Sequence, residues 1–339
     1  MKKKKILIIG GAGFIGHNLA IGLKKNNYDV SITDGLIVNN LNTVIGNVDN
    51  LPYPNLAREM LNERFSLIKK NNINLVIQDA RDYSGLSHII NKISPNIIIH
   101  LAAVSHANRS NKNPFSTFDH SLRTLENALD NTRGNKVDHF IYFSSSMVYG
   151  NFKSDSVDEN TVCEPLGIYG ALKYAGEKIV IAYNQTFGLP YTIIRPSALY
   201  GERCISRRVG QIFIENAIMK KDIIVNGNGN DSLDFTYIQD LVDGVKKVLS
   251  NKKSINNIFN MTYGSSRTVN QMLDILKKNF PKIKIKFQKR EKLMPERGTL
   301  KMDKAKSLLN FQPSWSLEEG YPKYISWYKK FTKNIKKIN

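Results

Sequence analysis

The sequence predicts an α/β protein with a doubly wound parallel sheet and a smaller C-terminal α/β region. Three observations lead to this prediction. Short apolar runs that suit buried parallel strands recur through residues 6–194, and helix-like segments separate most of them. The first run leads into a glycine-rich turn, Gly10–Gly16, which a helix-like pattern follows. The pattern changes at about Gly188, where shorter strands and helices begin.

The parallel sheet is predicted to contain six strands. These are Ile6–Ile9, Val30–Thr33, Leu75–Ile77, Ile97–Ile99, Phe140–Phe143 and Tyr191–Ile194. The stretch from Gly35 to Asn72 is longer than a simple crossover needs, so we predict an extra helix near Leu56–Lys70.

The region after Gly188 is predicted to hold shorter elements. Strands are expected at Ile223–Val225, Asp234–Ile238, Ile258–Met261 and Ile283–Phe287, and helices near Val269–Lys278 and Ser316–Lys330. Ser316 and Glu319 have the spacing of a capping box for the last helix. We therefore divide the chain into a dinucleotide-binding domain, 1–187, and a substrate-binding domain, 188–339. This division leaves open the return of later segments to the first domain.

Composition narrows the function classes. The chain has 339 residues and a formal net charge of +20, but its lysines are spread among asparagines, so we expect solvated charge and no nucleic-acid partner. Cys163 and Cys204 have no metal or redox spacing, which favours a reducing, cytoplasmic location and no metal site. No apolar stretch has the length of a membrane span, so no membrane partner is expected.

The turn Gly10–Gly16 has the features of the phosphate-binding turn of a Rossmann-type domain. Gly10 permits the tight turn, Gly13 lets a pyrophosphate approach the backbone, and Gly16 lets the helix pack close to the strand. The helix N-terminus adds free N–H groups and a positive dipole end. The spacing is G-x-x-G-x-x-G rather than the commoner G-x-G-x-x-G, and the alternative is a plain tight turn.

Acidic and small residues follow the next strands. A carboxylate at Asp34 accepts hydrogen bonds from ribose hydroxyls and repels a 2′-phosphate, so we predict NAD rather than NADP. Asp79 is a candidate acceptor for the adenine amino group. The small residues of the stretch 101–103 let the backbone pass close under a cofactor. We expect His100 to be packed and hydrogen-bonded, and His106 is a candidate substrate contact.

A tyrosine–lysine pair carries the candidate chemistry. Tyr169 and Lys173 lie at i and i+4, on one helix face. A phenol has a reference pKa near 10, and a nearby ammonium, helped by an oxidised nicotinamide, favours the phenolate and lowers that pKa. The pairs at 149/153 and 174/178 have the same spacing, but Tyr169 begins a helix, where its side chain reaches the sheet edge. Serines 144–146 end the fifth strand, either as ligand-binding hydroxyls or as simple strand ends.

These features together resemble the extended short-chain dehydrogenase/reductase family, in the branch that modifies nucleotide-activated sugars. The resemblance covers nearly the whole chain. It rests on the glycine turn, Asp34, Asp79, His100–Ala103, the serine run before Val148–Gly150, Tyr169/Lys173, Arg195-Pro196, Tyr200-Gly201, Asp234–Tyr237 and Arg297-Gly298.

The resemblance implies a catalytic triad of Ser145, Tyr169 and Lys173. Tyr169 is then the base, Ser145 binds the reacting sugar oxygen, and Lys173 is the electrostatic partner and a ribose ligand. The implied cofactor is NAD, held by Gly10, Gly13, Phe14, Ile15, Gly16, Asp34, Asp79, Ala80, Leu101, Ala102, Ala103, Tyr169, Lys173 and Pro196. The implied substrate is a nucleotide-diphosphate sugar, held by Ser145, Ser146, His106, Arg203, Arg207 and Arg297.

The reaction class follows from two positions. The 4,6-dehydratases of the family carry an acidic pair where this chain has Ser146 and Met147, so the resemblance favours an epimerase that acts at C4 through a transient 4-keto sugar. The alternatives are an NAD-dependent oxidoreductase or dehydratase that releases a keto sugar, and a non-catalytic dinucleotide-binding protein. The resemblance also implies a homodimer through the helices near Pro114–Asn131 and Tyr169–Phe187.

Four positions depart from the pattern of the family. Leu233 replaces a common phosphate-binding arginine, and Ala198 replaces an asparagine near the substrate diphosphate. His120 and Arg123 replace an asparagine and a glycine in the helix after Pro114. These departures leave the nucleotide base and the diphosphate contacts open.

Overall fold

The computed structural model describes residues 3–46, 51–105, 107–290, 293–333, 335 and 338. Its strands are β1 (Lys5–Ile9), β2 (Asp29–Asp34), β3 (Asn74–Ile77), β4 (Ile97–His100), β5 (His139–Phe143), β6 (Ser156–Val157), β7 (Tyr191–Arg195), β8 (Leu199–Tyr200), β9 (Ile223–Asn226), β10 (Ser232–Leu233), β11 (Thr236–Tyr237), β12 (Asn257–Asn260), β13 (Arg267–Thr268), β14 (Ile285–Gln288) and β15 (Thr299–Leu300).

The helices cover both faces of the large sheet. They are α1 (Phe14–Lys25), α2 (Leu41–Ile45), α3 (Pro54–Lys70), α4 (Tyr83–Ile93), α5 (Ala107–Lys112), α6 (Pro114–Phe118), α7 (Thr124–Asp130), α8 (Gly167–Phe187), α9 (Val209–Ile218), α10 (Ile238–Ser250), α11 (Val269–Asn279), α12 (Asp303–Leu309) and α13 (Leu317–Lys333). A π-helical turn, Asp119–Arg123, joins α6 to α7, and 3₁₀ turns lie at Ser146–Tyr149 and Lys252–Ser254.

Seven strands of the described chain form one parallel sheet in the order β12-β7-β5-β4-β1-β2-β3. Alternate residues of β1 pack on opposite faces. Ile6 and Ile8 join the cluster that includes Leu19 of α1, whereas Leu7 and Ile9 join the cluster on the other face. Because both faces of the sheet are covered, the sequence of each buried strand is a continuous apolar run. Such runs made these strands predictable from the sequence.

The six predicted strands of the sheet are confirmed as β1, β2, β3, β4, β5 and β7. The extra helix near Leu56–Lys70 is confirmed as α3, which begins at Pro54. The predicted helices of the C-terminal region correspond to α11 and α13. At the start of α13, the Ser316 N–H and hydroxyl both donate to the Glu319 carboxylate, at 3.3 and 3.0 Å.

The prediction of a strand over Asp234–Ile238 is wrong. Only Thr236 and Tyr237 are in strand β11, and Ile238 begins α10. Residues 241, 242, 245 and 248 of α10 are buried, which is the period of a helix that packs on one face. This helix packs against α1. Helix α9 was not predicted either.

The C-terminal region returns to the sheet. Strands β7 and β12 both follow residue 187 and pair with each other at the sheet edge. The remaining elements include the parallel pair β9 and β14, the antiparallel pair β10 and β13, and helices α9, α11 and α13. The large sheet therefore takes strands from both sides of residue 187, as the return of later segments left open in the sequence analysis allows. Within the described ranges, none of the helices has the length and hydropathy needed to cross a membrane.

The close contact between α1 and the glycine turn predicts a stability difference between two glycine substitutions. A Cβ at Gly16 would lie 2.6 Å from the Gly10 carbonyl oxygen and from the Gly11 Cα. These are backbone atoms, so Gly16→Ala is expected to lower the free energy of unfolding by about 1–3 kcal/mol in urea titrations. Gly134→Ala is the control because a Cβ there meets nothing within 4 Å. Equal stability of the two variants would contradict the prediction.

Candidate active site

Two adjoining cavities lie at the carboxyl ends of the parallel strands. The larger has a volume of about 450 Å³ and the smaller about 130 Å³. The residues that line both are Ile15, Leu101, Ala103, Ser105 and Arg208. In doubly wound sheets, ligands bind at this edge, where the strand order reverses. We therefore take the two cavities together as the candidate site.

The glycine turn forms one wall of the smaller cavity. Gly10 has a φ of 83°, and a Cβ there would lie 2.8 Å from the Ala102 backbone nitrogen. The N–H groups of Gly10 and Gly11 both donate to the Thr33 carbonyl, at 2.8 and 3.1 Å, so the turn is fixed to the end of β2. Gly13, Phe14, Ile15 and Gly16 line the cavity at the start of α1. The backbone is thus open to a pyrophosphate at a helix N-terminus.

Asp34 lies at the end of β2 in the same cavity. Its two oxygens accept the backbone N–H groups of Ala12 and Leu36, at 2.9 and 2.8 Å. Burial raises the pKa of Asp34, and these two hydrogen bonds act in the opposite direction. A carboxylate offers about four lone-pair sites, so Asp34 keeps the capacity to accept from a ribose hydroxyl. The residues present therefore fit NAD, and Asp34 holds a position that suits the ribose.

Asp79 and Ala80 also line the smaller cavity. The Asp79 carboxylate is bound by the Arg81 guanidinium, with a shortest distance of 2.6 Å, and Arg81 also binds Asp119 at 2.7 Å. Burial raises the pKa of Asp79, but the hydrogen bonds from Arg81 outweigh it and lower the pKa overall. Asp79 therefore stays ionised beside the cavity. Leu101, Ala102 and Ala103 complete the wall below it.

Ser145, Tyr169 and Lys173 all line the larger cavity. The Ser145 hydroxyl accepts the Met147 N–H at 3.2 Å and is hydrogen-bonded to Tyr169. The Lys173 ammonium donates to the Phe143 carbonyl at 2.7 Å. Burial lowers the pKa of Lys173 to about 8. Helix α8 thus brings the base and the cation to the end of β5.

The pKa of Tyr169 depends on burial and on two neighbouring side chains. Burial raises it, while the hydrogen bond from Ser145 and the Arg208 charge act in the opposite direction. Lys173 makes its hydrogen bond to a backbone carbonyl instead of lowering this pKa in the protein alone. In the protein alone, burial therefore outweighs the groups that favour the phenolate of Tyr169.

The other tyrosine–lysine pairs lie elsewhere. The Tyr149 hydroxyl donates to Asn260 at 2.7 Å and accepts from Arg195 at 2.9 Å, which makes it a structural group. The Lys178 ammonium lies 4.8 Å from the centre of the Tyr174 ring, and neither residue lines a cavity. His100 is buried and stacks near Phe140 and Tyr142, and burial lowers its pKa to about 3.

The predicted substrate residues have different positions. Ser146, Arg207 and Arg297 line the larger cavity, as does Pro196 of the cofactor set. Arg207 forms an ion pair with Glu215 at 3.1 Å. The Nε atom of Arg297 is buried without a hydrogen-bond partner among the described residues, and burial lowers the pKa of this guanidinium to about 10. His106 lies outside the described residues.

Arg203, which the resemblance assigns to the substrate set, lines neither cavity. Its Nε donates to the His17 Nε2 at 3.1 Å, and its guanidinium reaches Glu63 at 3.5 Å. The side chain therefore points to α1 and α3. Arg208 lines both cavities, and its Nε is buried without a partner among the described residues. An arginine run alone does not show which member turns inward.

Among the described residues, no group of three or more His, Cys, Asp or Glu side chains is placed to hold a metal ion. The fold and the two cavities define a dinucleotide-dependent enzyme with a second ligand site beside the cofactor site. A model of the NAD-dependent epimerase/dehydratase family matches residues 6–262, so the chain belongs to that family.

Relatives with known names are similar over nearly the full chain. A protein of Methanocaldococcus jannaschii, provisionally named a UDP-glucose 4-epimerase, is 32% identical over 96% of this chain and 98% of its own. The crystal structure of UDP-glucuronic acid 4-epimerase from Bacillus cereus with UDP-glucuronic acid and NAD is 26% identical, with a TM-score of 0.84 over 96% of this chain and 99% of its own. UDP-glucose 4-epimerase of Thermotoga maritima, crystallised with UDP-glucose, is also 26% identical, with a TM-score of 0.84 over 97% and 99%.

The position of Asp34 predicts cofactor preference. In Asp34→Asn the charge is lost and an amide N–H faces one of the backbone donors that the carboxylate now accepts. We expect NAD affinity to fall about tenfold or more by isothermal titration calorimetry, with a smaller effect on NADP. Asp29→Asn, at the exposed start of the same strand, is the control. Wild-type NAD affinity in Asp34→Asn would contradict the assignment.

Proposed function

We propose that this protein is an NAD-dependent nucleotide-sugar 4-epimerase and that its substrate is a UDP-sugar. The observation that carries the proposal is that Ser145, Tyr169 and Lys173 together line the larger cavity, which adjoins the smaller cavity beside the glycine turn and shares five lining residues with it. The UDP-sugars bound by the two crystallised relatives support a nucleotide sugar as the ligand of the larger cavity.

The residues of the triad divide the work of one reversible proton transfer. NAD, when bound, supplies an acceptor for the C4 hydride and returns it. Tyr169, as phenolate, takes the proton from the sugar 4-hydroxyl. Ser145 holds the same oxygen while it becomes a ketone. After the sugar presents its other face, Tyr169 returns the proton. The Lys173 ammonium favours the phenolate and offers donors to ribose hydroxyls.

The lining of the larger cavity favours epimerisation over dehydration. Elimination of water needs a positioned acid and base near the sugar. Met147 and Ser146 follow Ser145 in this lining and supply neither a carboxyl group nor a cation. Among the described lining residues the only carboxylate is that of Asp231, and Arg290 binds it at 3.0 Å. The cavity therefore suits a reaction that begins and ends with a hydroxyl group.

Two guanidinium groups are proposed to bind the substrate diphosphate. The Nε atoms of Arg208 and Arg297 are buried without partners among the described residues, and both side chains line the larger cavity. An unpaired buried N–H group is costly, and a phosphate oxygen is the strongest acceptor that a nucleotide sugar offers. These two residues can supply the phosphate contact that relatives make with an arginine at the position of Leu233.

We also propose a homodimer and a cytoplasmic location. Phe115 and Phe118 of α6 are 85% and 52% exposed in the single subunit. Such exposure is unusual for phenylalanine, and it is explained if a second subunit covers this helix of the expected interface. Cys163 and Cys204 are free thiols, as a reducing compartment favours.

The reaction is tested by incubating the purified protein with UDP-glucose, UDP-glucuronate and dTDP-glucose, without added cofactor. Proton NMR is expected to show one substrate converting to its C4 stereoisomer up to equilibrium, because retained NAD is regenerated in each turnover. Accumulation of NADH with a keto sugar would instead support the oxidoreductase. A 4-keto-6-deoxy product would contradict the assignment of Ser146 and Met147.

The assignment of the base predicts the effect of removing one hydroxyl group. Tyr169→Phe is expected to lower the epimerisation rate by a factor of about 100 or more, because the proton acceptor is lost. Tyr174→Phe, on the same helix and outside the cavity lining, is expected to keep near wild-type turnover. A Tyr169→Phe protein with wild-type turnover would contradict the mechanism.

The dimer is tested by sedimentation velocity at micromolar concentration. A Phe115→Glu/Phe118→Glu double variant is expected to be monomeric, because four carboxylates would be placed on the shared apolar face of the dimer. Exposed Val162→Glu is the control for an added charge outside the expected helices. A wild-type protein that sediments as a monomer would contradict the dimer itself.

A further inference from the structure

One stripe of α8 contacts three consecutive residues at the end of β5. Tyr169, Lys173 and Glu177 are spaced i, i+4 and i+8, so they lie on the same helix face. They bind, respectively, the third, first and second residues of the segment Phe143–Ser145. Two members of this row belong to the proposed triad. The third, Glu177, has no role in the mechanism above.

The Glu177 carboxylate joins three structural elements. Its Oε1 accepts the Ser144 hydroxyl at 2.5 Å and the Arg195 Nε at 2.9 Å. Its Oε2 accepts the Arg195 Nη2 at 2.6 Å. Both charged side chains are almost completely buried, with 1% and 3% exposure. The carboxylate therefore ties α8 to the end of β5 and, through Arg195, to the end of β7.

The network continues to a fourth element. The Arg195 Nη1 donates to the Tyr149 hydroxyl at 2.9 Å, and this hydroxyl donates to Asn260 of β12 at 2.7 Å. Asn260 in turn donates its backbone N–H to Glu159 at 2.7 Å. Such a network is rigid because each buried polar group has a partner.

We propose that Glu177 is a positioning residue for the reaction: it fixes the Phe143–Ser145 segment through Ser144, and it places a carboxylate one helical turn from Lys173 on the same face of α8. This inference rests on the proposed function. A shift of Ser144 moves Ser145, whose hydroxyl must meet both the sugar oxygen and Tyr169. Small displacements of such groups reduce rates strongly, because reacting atoms must be aligned.

The electrostatic part of the role follows from the surroundings of Lys173. The titratable groups that face it are Tyr169 and Glu177 on its own helix, Tyr142 on β5 and His100 on β4. Burial makes both tyrosines harder to ionise and keeps His100 neutral by lowering its pKa. Burial also lowers the pKa of Lys173, and Glu177 is the group that raises it. Glu177 thus supplies the negative charge in this surrounding set.

Glu177→Gln is the first test, in the NAD-loaded enzyme. The amide keeps the length of the side chain and an acceptor for Ser144, but it removes the charge. Because the ammonium form of Lys173 is lost as pH rises through its pKa, the alkaline limb of kcat is expected to move to lower pH by about one unit. We expect kcat at neutral pH to fall about tenfold, with KM for the sugar nucleotide nearly unchanged.

Two further variants separate positioning from folding. Ser144→Ala removes the hydroxyl and keeps the ion pair, so kcat is expected to fall without a change in the alkaline limb, and Ser144→Thr is expected to restore it. Tyr149→Phe is the matched control, because it breaks the network on the side of Arg195 that faces away from Ser144. It is expected to lower the melting temperature and leave the pH profile of kcat unchanged.

The pKa of Lys173 can also be measured without turnover. The ¹³Cε signal of lysine-labelled protein, assigned by its absence in Lys173→Met, is expected to titrate at lower pH in Glu177→Gln than in wild type. An unchanged titration together with an unchanged pH profile would overturn the inference and leave Glu177 a purely structural residue. A wild-type enzyme that turns over no nucleotide sugar would contradict the proposed function, while the NMR titration would still decide the role of Glu177.

Discussion

The reversal of strand order beside β1 is the constraint on which the site depends. The chain runs from β1 through β2 to β3 on one side and then returns to β4 on the other. The connecting helices therefore leave on opposite faces, and a crevice opens at the carboxyl ends between β1 and β4. The glycine turn follows β1, and the stretch 101–103 follows β4, so backbone from both strands reaches the same crevice.

The buried arginines in and around the site differ in whether the protein supplies acceptors for their N–H groups. Arg195 is buried with its acceptors supplied by the protein, so it serves the structure. Arg208 and Arg297 have buried Nε atoms without partners among the described residues. Buried polar groups in folded proteins normally have partners, and these two exceptions at a cavity wall are the ground for proposing that a ligand provides them. The two classes of arginine have the same side chain, and only the surroundings distinguish them.

Sequence reasoning located the elements whose signal is local. Continuous apolar runs gave the sheet strands, because such runs result from burial on both faces. The spacing of Tyr169 and Lys173 predicts a shared helix face. Two other tyrosine–lysine pairs have the same spacing, so the choice of this pair depended on its predicted position beside the sheet edge. The failures have tertiary causes. Ile238 begins a helix because of its packing partner α1, and the direction of Arg203 is set by α1 and α3, far away in sequence.

Arg203 attaches the loop before Arg208 to the elements around the glycine turn. Its side chain donates to His17 of α1, and its carbonyl accepts the Nε of buried Arg64 at 2.9 Å. His17 is hydrogen-bonded to the Gly13 carbonyl through Nδ1 at 2.9 Å, and Arg64 also reaches the Ala12 carbonyl at 3.5 Å. The loop that continues to Arg208 is therefore attached to the dinucleotide-binding turn at two points. Through these hydrogen bonds, Arg203 holds the loop before Arg208 against the glycine turn.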